Sequence, residues 1–203
     1  MSYQKPVAQP KQTPMIYSKI VFLGDHCGKT SIISRFVEER FPDLTDKDRT
    51  TGFITKQMSL IGEEFGQYQM NFQLGDTSSD EKYHFFYKIF IKEASAVIFT
   101  FDITNRESFN NVKLIIDKTL AYTKQSTILL LVATKSDMKD KVQVNLSEAR
   151  LLASDKSMLF KEVSAKTGQG IKDLFSDLGK IELYRITGQS NAEKKVFNKK
   201  KGV

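Results

Sequence analysis

The stretch that decides the fold is GDHCGKT, residues Gly24-Asp25-His26-Cys27-Gly28-Lys29-Thr30. Binding a phosphate takes backbone N–H donors and a cation. A glycine-rich turn after a strand supplies the donors, and the helix that follows adds its positive end. Lys29 has the reach to touch phosphates, and the Thr30 hydroxyl suits Mg²⁺. The common pattern is G-x-x-x-x-G-K-[ST]. Here only Asp25, His26 and Cys27 stand between the first glycine and the Gly-Lys pair. The loop is one residue short, so it reads as a nucleotide site or as an ordinary strand-to-helix turn.

Its surroundings have the right order. Lys19–Leu23 is a short apolar run of strand type that leads into the loop. Residues 31–40 look helical, with Ile32, Ile33, Phe36 and Val37 on one face. Further along, Tyr68, Met70, Phe72 and Leu74 alternate with Gln69, Asn71 and Gln73, the period-two pattern of a half-buried strand. Residues 56–60 are its partner across a turn at 62–66. Runs at 94–101, 128–133 and 159–163 read as buried strands. Helical patterns cover 108–120 and 147–153, with Asn145 and Glu148 as a capping box for the second. Ile171, Leu174, Phe175, Leu178 and Ile181 form the apolar stripe of a last helix. Six strands alternating with helices predict an α/β fold: a mostly parallel sheet with helices on both faces. Ligands in such sheets bind at the carboxyl ends of the strands.

Composition agrees. At 203 residues, 40% hydrophobic and 27% charged, the chain suits one globular domain. No apolar run reaches the roughly 18–20 residues needed to span a bilayer. Residues 1–14 are polar and hold three of the four prolines, so an extended arm and no signal peptide are expected. Cys27 is the single cysteine, which rules out a disulfide within the chain and fits a reducing, cytoplasmic setting. The net charge of +7 is concentrated in Lys194, Lys195, Lys199, Lys200 and Lys201. The body is close to neutral, which argues against specific nucleic-acid binding. The expected organisation is an arm over 1–15, a domain over 16–187 and a basic tail over 188–203.

Other chemistry-bearing residues sit at the remaining strand ends. Thr134-Lys135-Ser136-Asp137 follows the 128–133 run. A carboxylate there can take both N1–H and N2–H of guanine, a pair that adenine does not offer. Ser164-Ala165-Lys166 follows the 159–163 run, Asp76-Thr77 follows the alternating strand, and Thr50-Thr51-Gly52 precedes the 56–60 strand. Each is weak alone; an ordinary solvated loop acid is the bland alternative for Asp137.

Taken in order, the motifs resemble those of a small GTPase of the Ras superfamily, nearest the Rab branch. FDITNRESF at 101–109 is the closest phrase, joined by RTTGF at 49–53, DTSSDEKY at 76–83, TKSD at 134–137 and SAKTGQGI at 164–171. The resemblance covers about residues 16–187. It implies a P-loop G-domain with GTP or GDP and Mg²⁺ as cofactors. Gly24 to Ser31 would surround the phosphates, with Lys29 touching them. Thr30, Thr50 and Asp76 would hold the metal. Lys135 would pack along the base, with Thr134 beside it, and Asp137 would read guanine. Ser164, Ala165 and Lys166 would close the base site, Ala165 by its backbone N–H. It further implies vesicle transport as the setting, and protein partners reached through the switch loops or tails.

Several positions depart from the family pattern. DTAGQE becomes Asp76-Thr77-Ser78-Ser79-Asp80-Glu81. Asp80 replaces the glutamine that orients the attacking water, so very slow hydrolysis is expected. His26 and Cys27 stand where small residues usually face the phosphates. Thr55 and Gly75 stand where Rab proteins usually carry Phe and Trp. Prenylatable C-terminal cysteines are missing, so no prenyl anchor is expected and the lysines would give at most weak, salt-sensitive membrane contact. Two readings follow: a Rab-type switch with impaired hydrolysis, or a structural pseudo-GTPase serving as a static interaction module in a larger assembly.

Overall fold

The computed structural model describes residues 14–42, 52–62, 66–77 and 86–188. Thr50, Thr51, Ser78, Ser79, Asp80, Glu81, the first 13 residues and the tail lysines lie outside the described residues.

Six strands form one sheet in the order β2-β3-β1-β4-β5-β6. They are β1 (Met15–Leu23), β2 (Gly52–Gly62), β3 (Gly66–Asp76), β4 (Ala96–Asp102), β5 (Ile128–Thr134) and β6 (Leu159–Glu162). Only the β2–β3 pair is antiparallel. The helices are α1 (Lys29–Glu38), α2 (Tyr87–Ile91), α3 (Arg106–Thr119), α4 (Leu146–Asp155) and α5 (Ile171–Ile186).

Strand alternation divides the core in two. Ile20 and Phe22 of β1 point to the α1 and α5 side, where Phe36, Phe72 and Phe175 meet. Phe36 and Phe175 stack with centroids 3.6 Å apart at 10°. Val21 and Leu23 point the other way, into a core shared with α2, α3 and α4. Both faces are therefore covered, as the strand–helix alternation predicts.

Three differences from the sequence reading have physical causes. β1 starts at Met15, not Lys19, because its outer half pairs with β3 from Met15↔Gln69 onward. There only one face is buried, so Tyr17 is exposed and the run does not look apolar. α1 starts at Lys29, because Gly28 takes a left-handed N-cap conformation (φ 86°) and the helix begins at once. The capping box at α4 is half formed. Asn145 accepts from the Ser147 N–H, but Glu148 turns to α3 and pairs with Arg106 and Lys113 at 2.5 and 3.0 Å. Two cations outcompete one backbone N–H for that carboxylate.

Candidate nucleotide site

The register brings the carboxyl ends of β1, β3, β4, β5 and β6 to one edge. Phe22 lies beside Asp76, Asp102 beside Thr134 and Ala133 beside Glu162. The predicted residues within the described segments meet along this edge.

The shortened loop runs from Gly24 to Gly28. Gly24 (φ 141°), His26 (φ 47°) and Gly28 (φ 86°) all have positive φ. Alternating signs of φ make the tight, concave backbone that suits anions. Gly24 also passes close to β4: a Cβ there would come 2.3 Å from the Thr100 carbonyl oxygen. Lys29 is buried, and its Nζ donates across the loop to the Gly24 carbonyl. The Thr30 hydroxyl donates to Asp76 Oδ2 at 2.6 Å. Ser31 lies one residue further along the first turn of α1 and lines the cleft described below.

His26 is exposed. Cys27 is fully buried, with Sγ 2.8 Å from Thr100 Oγ1. Thr100 in turn donates to the Leu23 carbonyl at 2.9 Å. Burial pushes the Cys27 thiol above its ordinary value, opposed in part by the charge of Lys29. The thiol therefore stays protonated at mildly alkaline pH. Native protein is expected to resist iodoacetamide at pH 8 and to be labelled only as it unfolds, read by mass spectrometry. The raised folded value also means that any stability tied to the neutral thiol fades as pH rises past the unfolded value. Rapid labelling of native protein would contradict this placement.

Thr134 links the loop to the base motif. Its hydroxyl donates to the Cys27 carbonyl at 2.7 Å. Lys135 has φ 59°, and its Nζ lies 2.5 Å from Asp102 Oδ2. Asp102 is itself fixed, its Oδ1 accepting from the Thr104 N–H and hydroxyl at 2.8 Å each. Asp137 Oδ1 accepts from the Ser164 hydroxyl at 2.6 Å. That bond crosses from the loop after β5 to the loop after β6. Between these groups lies a cleft bordered by Gly28, Thr134, Asp137, Ala165, Lys166 and Phe41. Its cavity volume is about 110 Å³, smaller than the roughly 300–1,000 Å³ usual for small-ligand sites. The missing loop residue has not closed it.

A family model for the Ras family matches residues 19–183. The chain belongs to the Ras family. Rab proteins are among its relatives. RABF2a of Arabidopsis thaliana is 31% identical over 166 residues, 81% of this chain and 80% of its own length. Rab5A of Oryza sativa subsp. japonica is 30% identical over 184 residues, 90% and 88% of the two chains. Rab5 of Nicotiana tabacum is 30% identical over 164 residues, 80% of each. The protein is thus a Rab-like small GTPase by family, and its sheet is the one the family implies.

In this Rab-like chain a phenylalanine covers Gly75. Gly75 pairs with Phe53 across β2 and β3. The Phe53 ring covers it so closely that a Cβ at Gly75 would lie 2.8 Å from Phe53 Cε1. Phe53 stacks on Phe90 at 5.3 Å and 24°, and Lys19 Nζ sits 5.0 Å from its centroid. A Trp at position 75 would need that space.

The sequence reading missed Phe41, Arg35, Thr100 and Asp102 as parts of this site. Asp102 was visible within FDITNRESF, without a role. Phe41 sits in a loop with no periodicity to mark it. Arg35 and Thr100 act mainly on backbone carbonyls, which no side-chain pattern reveals.

Proposed function

We propose that the chain binds guanine nucleotide with Mg²⁺ as a Rab-type switch whose GTP hydrolysis is impaired. The observation that carries the reading is that side-chain pairs are already formed at both ends of the strand-end edge. At one end Thr30 is bonded to Asp76, and at the other Ser164 is bonded to Asp137. Phosphate groups would take the loop N–H groups and Lys29. The guanine edge would take Asp137, with the Ala165 N–H on its O6.

The donors fit Mg²⁺. A hydroxyl and a carboxylate meet at the start of α1, and hard oxygen ligands are what this ion selects. Among the described residues no cluster of three or more His, Cys, Asp or Glu could hold a metal alone. Thr30 and Asp76 would therefore share the ion with phosphate oxygens and water, as Mg²⁺ sites commonly do. Bound there, the ion would neutralise phosphate charge.

Impaired hydrolysis rests on Asp80. A carboxylate lacks the amide donor of glutamine and adds negative charge near a polyanion. Ser79 restricts the backbone where glycine is usual. These same replacements support the second reading, a static module that holds nucleotide without cycling. In either case we place the protein in the cytoplasm and in vesicle transport, as its resemblance to Rab proteins supports. Phe53 and Phe90 would offer the partner-binding surface. Titration with fluorescent GDP, competed by GTP and by ATP, tests the binding. Displacement by GTP alone is expected; equal displacement by ATP, or no binding, contradicts it.

A further inference from the structure

We propose that Arg35 is a positioning residue that sets how long the guanine base stays in the cleft. The inference rests on the nucleotide reading above. Arg35 lies on α1, and it does not line the cleft. Its guanidinium reaches three backbone carbonyls instead. Nε donates to Ala165 O at 2.7 Å, Nη1 to Glu39 O at 2.9 Å, and Nη2 to Lys166 O.

Two of those carbonyls belong to one border of the cleft, and the third lies two residues before another. Ala165 and Lys166 form one wall, and Phe41, two residues after Glu39, forms another. Glu39 is where α1 ends, with φ 60°, and where the chain turns towards Phe41. One planar fork therefore ties the wall to the rim. A lysine has the charge but not the fixed fork, so it cannot hold three carbonyls in this geometry.

The effect falls on rate more than on fold. The wall loop has its own ties: Ser164 N–H to Gln169 O at 3.0 Å, and Gly168 N–H to Ser164 O at 2.9 Å. Without Arg35 the loop keeps its turn but loses its link to the rim. Wall and rim can then move apart independently, which lets the base leave.

Release of methylanthraniloyl-GDP from the full chain tests this, in Mg²⁺ and in EDTA. Arg35→Ala is expected to bind at unchanged stoichiometry and release about 10- to 100-fold faster, the scale of one of the three charge-assisted hydrogen bonds it removes, since the wall loop keeps its own ties. Arg35→Lys should fall between it and the unsubstituted protein. The factor should be the same in EDTA, because Mg²⁺ belongs to the phosphate end. If Arg35→Ala does not fold, the Arg35→Lys rate decides. Unchanged release in the folded variants overturns the proposal while leaving nucleotide binding intact. So does a factor that vanishes in EDTA, or lost stoichiometry with unchanged release from the remaining sites. Failure of the unsubstituted chain to bind GDP overturns this proposal and the nucleotide reading together.

Discussion

Asp137→Ala weakens guanine-nucleotide binding by about 1,000-fold. Two hydrogen bonds to one carboxylate contribute on the order of 4 kcal/mol, and each 1.36 kcal/mol is about a decade. Asp137 is partly exposed and ends no strand, so its loss leaves the sheet intact. The carboxylate is held in place by Ser164 at 2.6 Å. Ser164→Ala should therefore weaken binding in the same direction by less, about 10-fold, the scale of one hydrogen bond. Titration with fluorescent GDP measures both. ATP should also compete better against the Asp137→Ala variant, since only guanine presents the paired N–H groups. Unchanged affinity would mean that the base is read elsewhere.

Asp80→Gln raises single-turnover GTP hydrolysis by on the order of 100-fold, the scale of a correctly placed water-activating group. The substitution restores an amide that can both donate and accept. It also removes one negative charge from the motif that follows Asp76. Phosphate release after rapid mixing with GTP and Mg²⁺ measures the rate. A rate equal to that of the unsubstituted chain would move the defect from position 80 to the shortened loop between Gly24 and Gly28.

The buried strands and the strand-end motifs were legible because buried parallel strands are apolar throughout, and chemistry at their ends interrupts those runs abruptly. Ile128–Thr134 followed by Lys135 and Asp137 is the clearest case. The outer half of β1 was not legible, since Tyr17 and Ser18 are fixed by pairing with β3 and not by burial on both faces. The five-residue α2 was missed too. It buries only Tyr87 and Ile91, too short a stripe to stand out in an aromatic-rich segment.

The site was legible in its side-chain chemistry and not in its wiring. Lys29, Thr30, Asp76 and Asp137 announce themselves by type and position. The inward turn of Cys27 depends on Thr100, 73 residues away. The Thr134 bond to the loop spans 107 residues, and the Arg35 bonds to the base loop span 130 and 131. Contacts of that separation follow from strand order, which a local pattern does not contain. The same holds for Phe53 over Gly75: strand register, not residue type, brings that ring over the glycine.

Chromatography of the nucleotide released on denaturing the purified protein tests the central claim most directly. A nucleotide-binding Rab-type chain with impaired hydrolysis should release guanine nucleotide at close to one equivalent, with intact GTP as a major fraction. Folded protein that releases no nucleotide, or releases GDP alone, would contradict it.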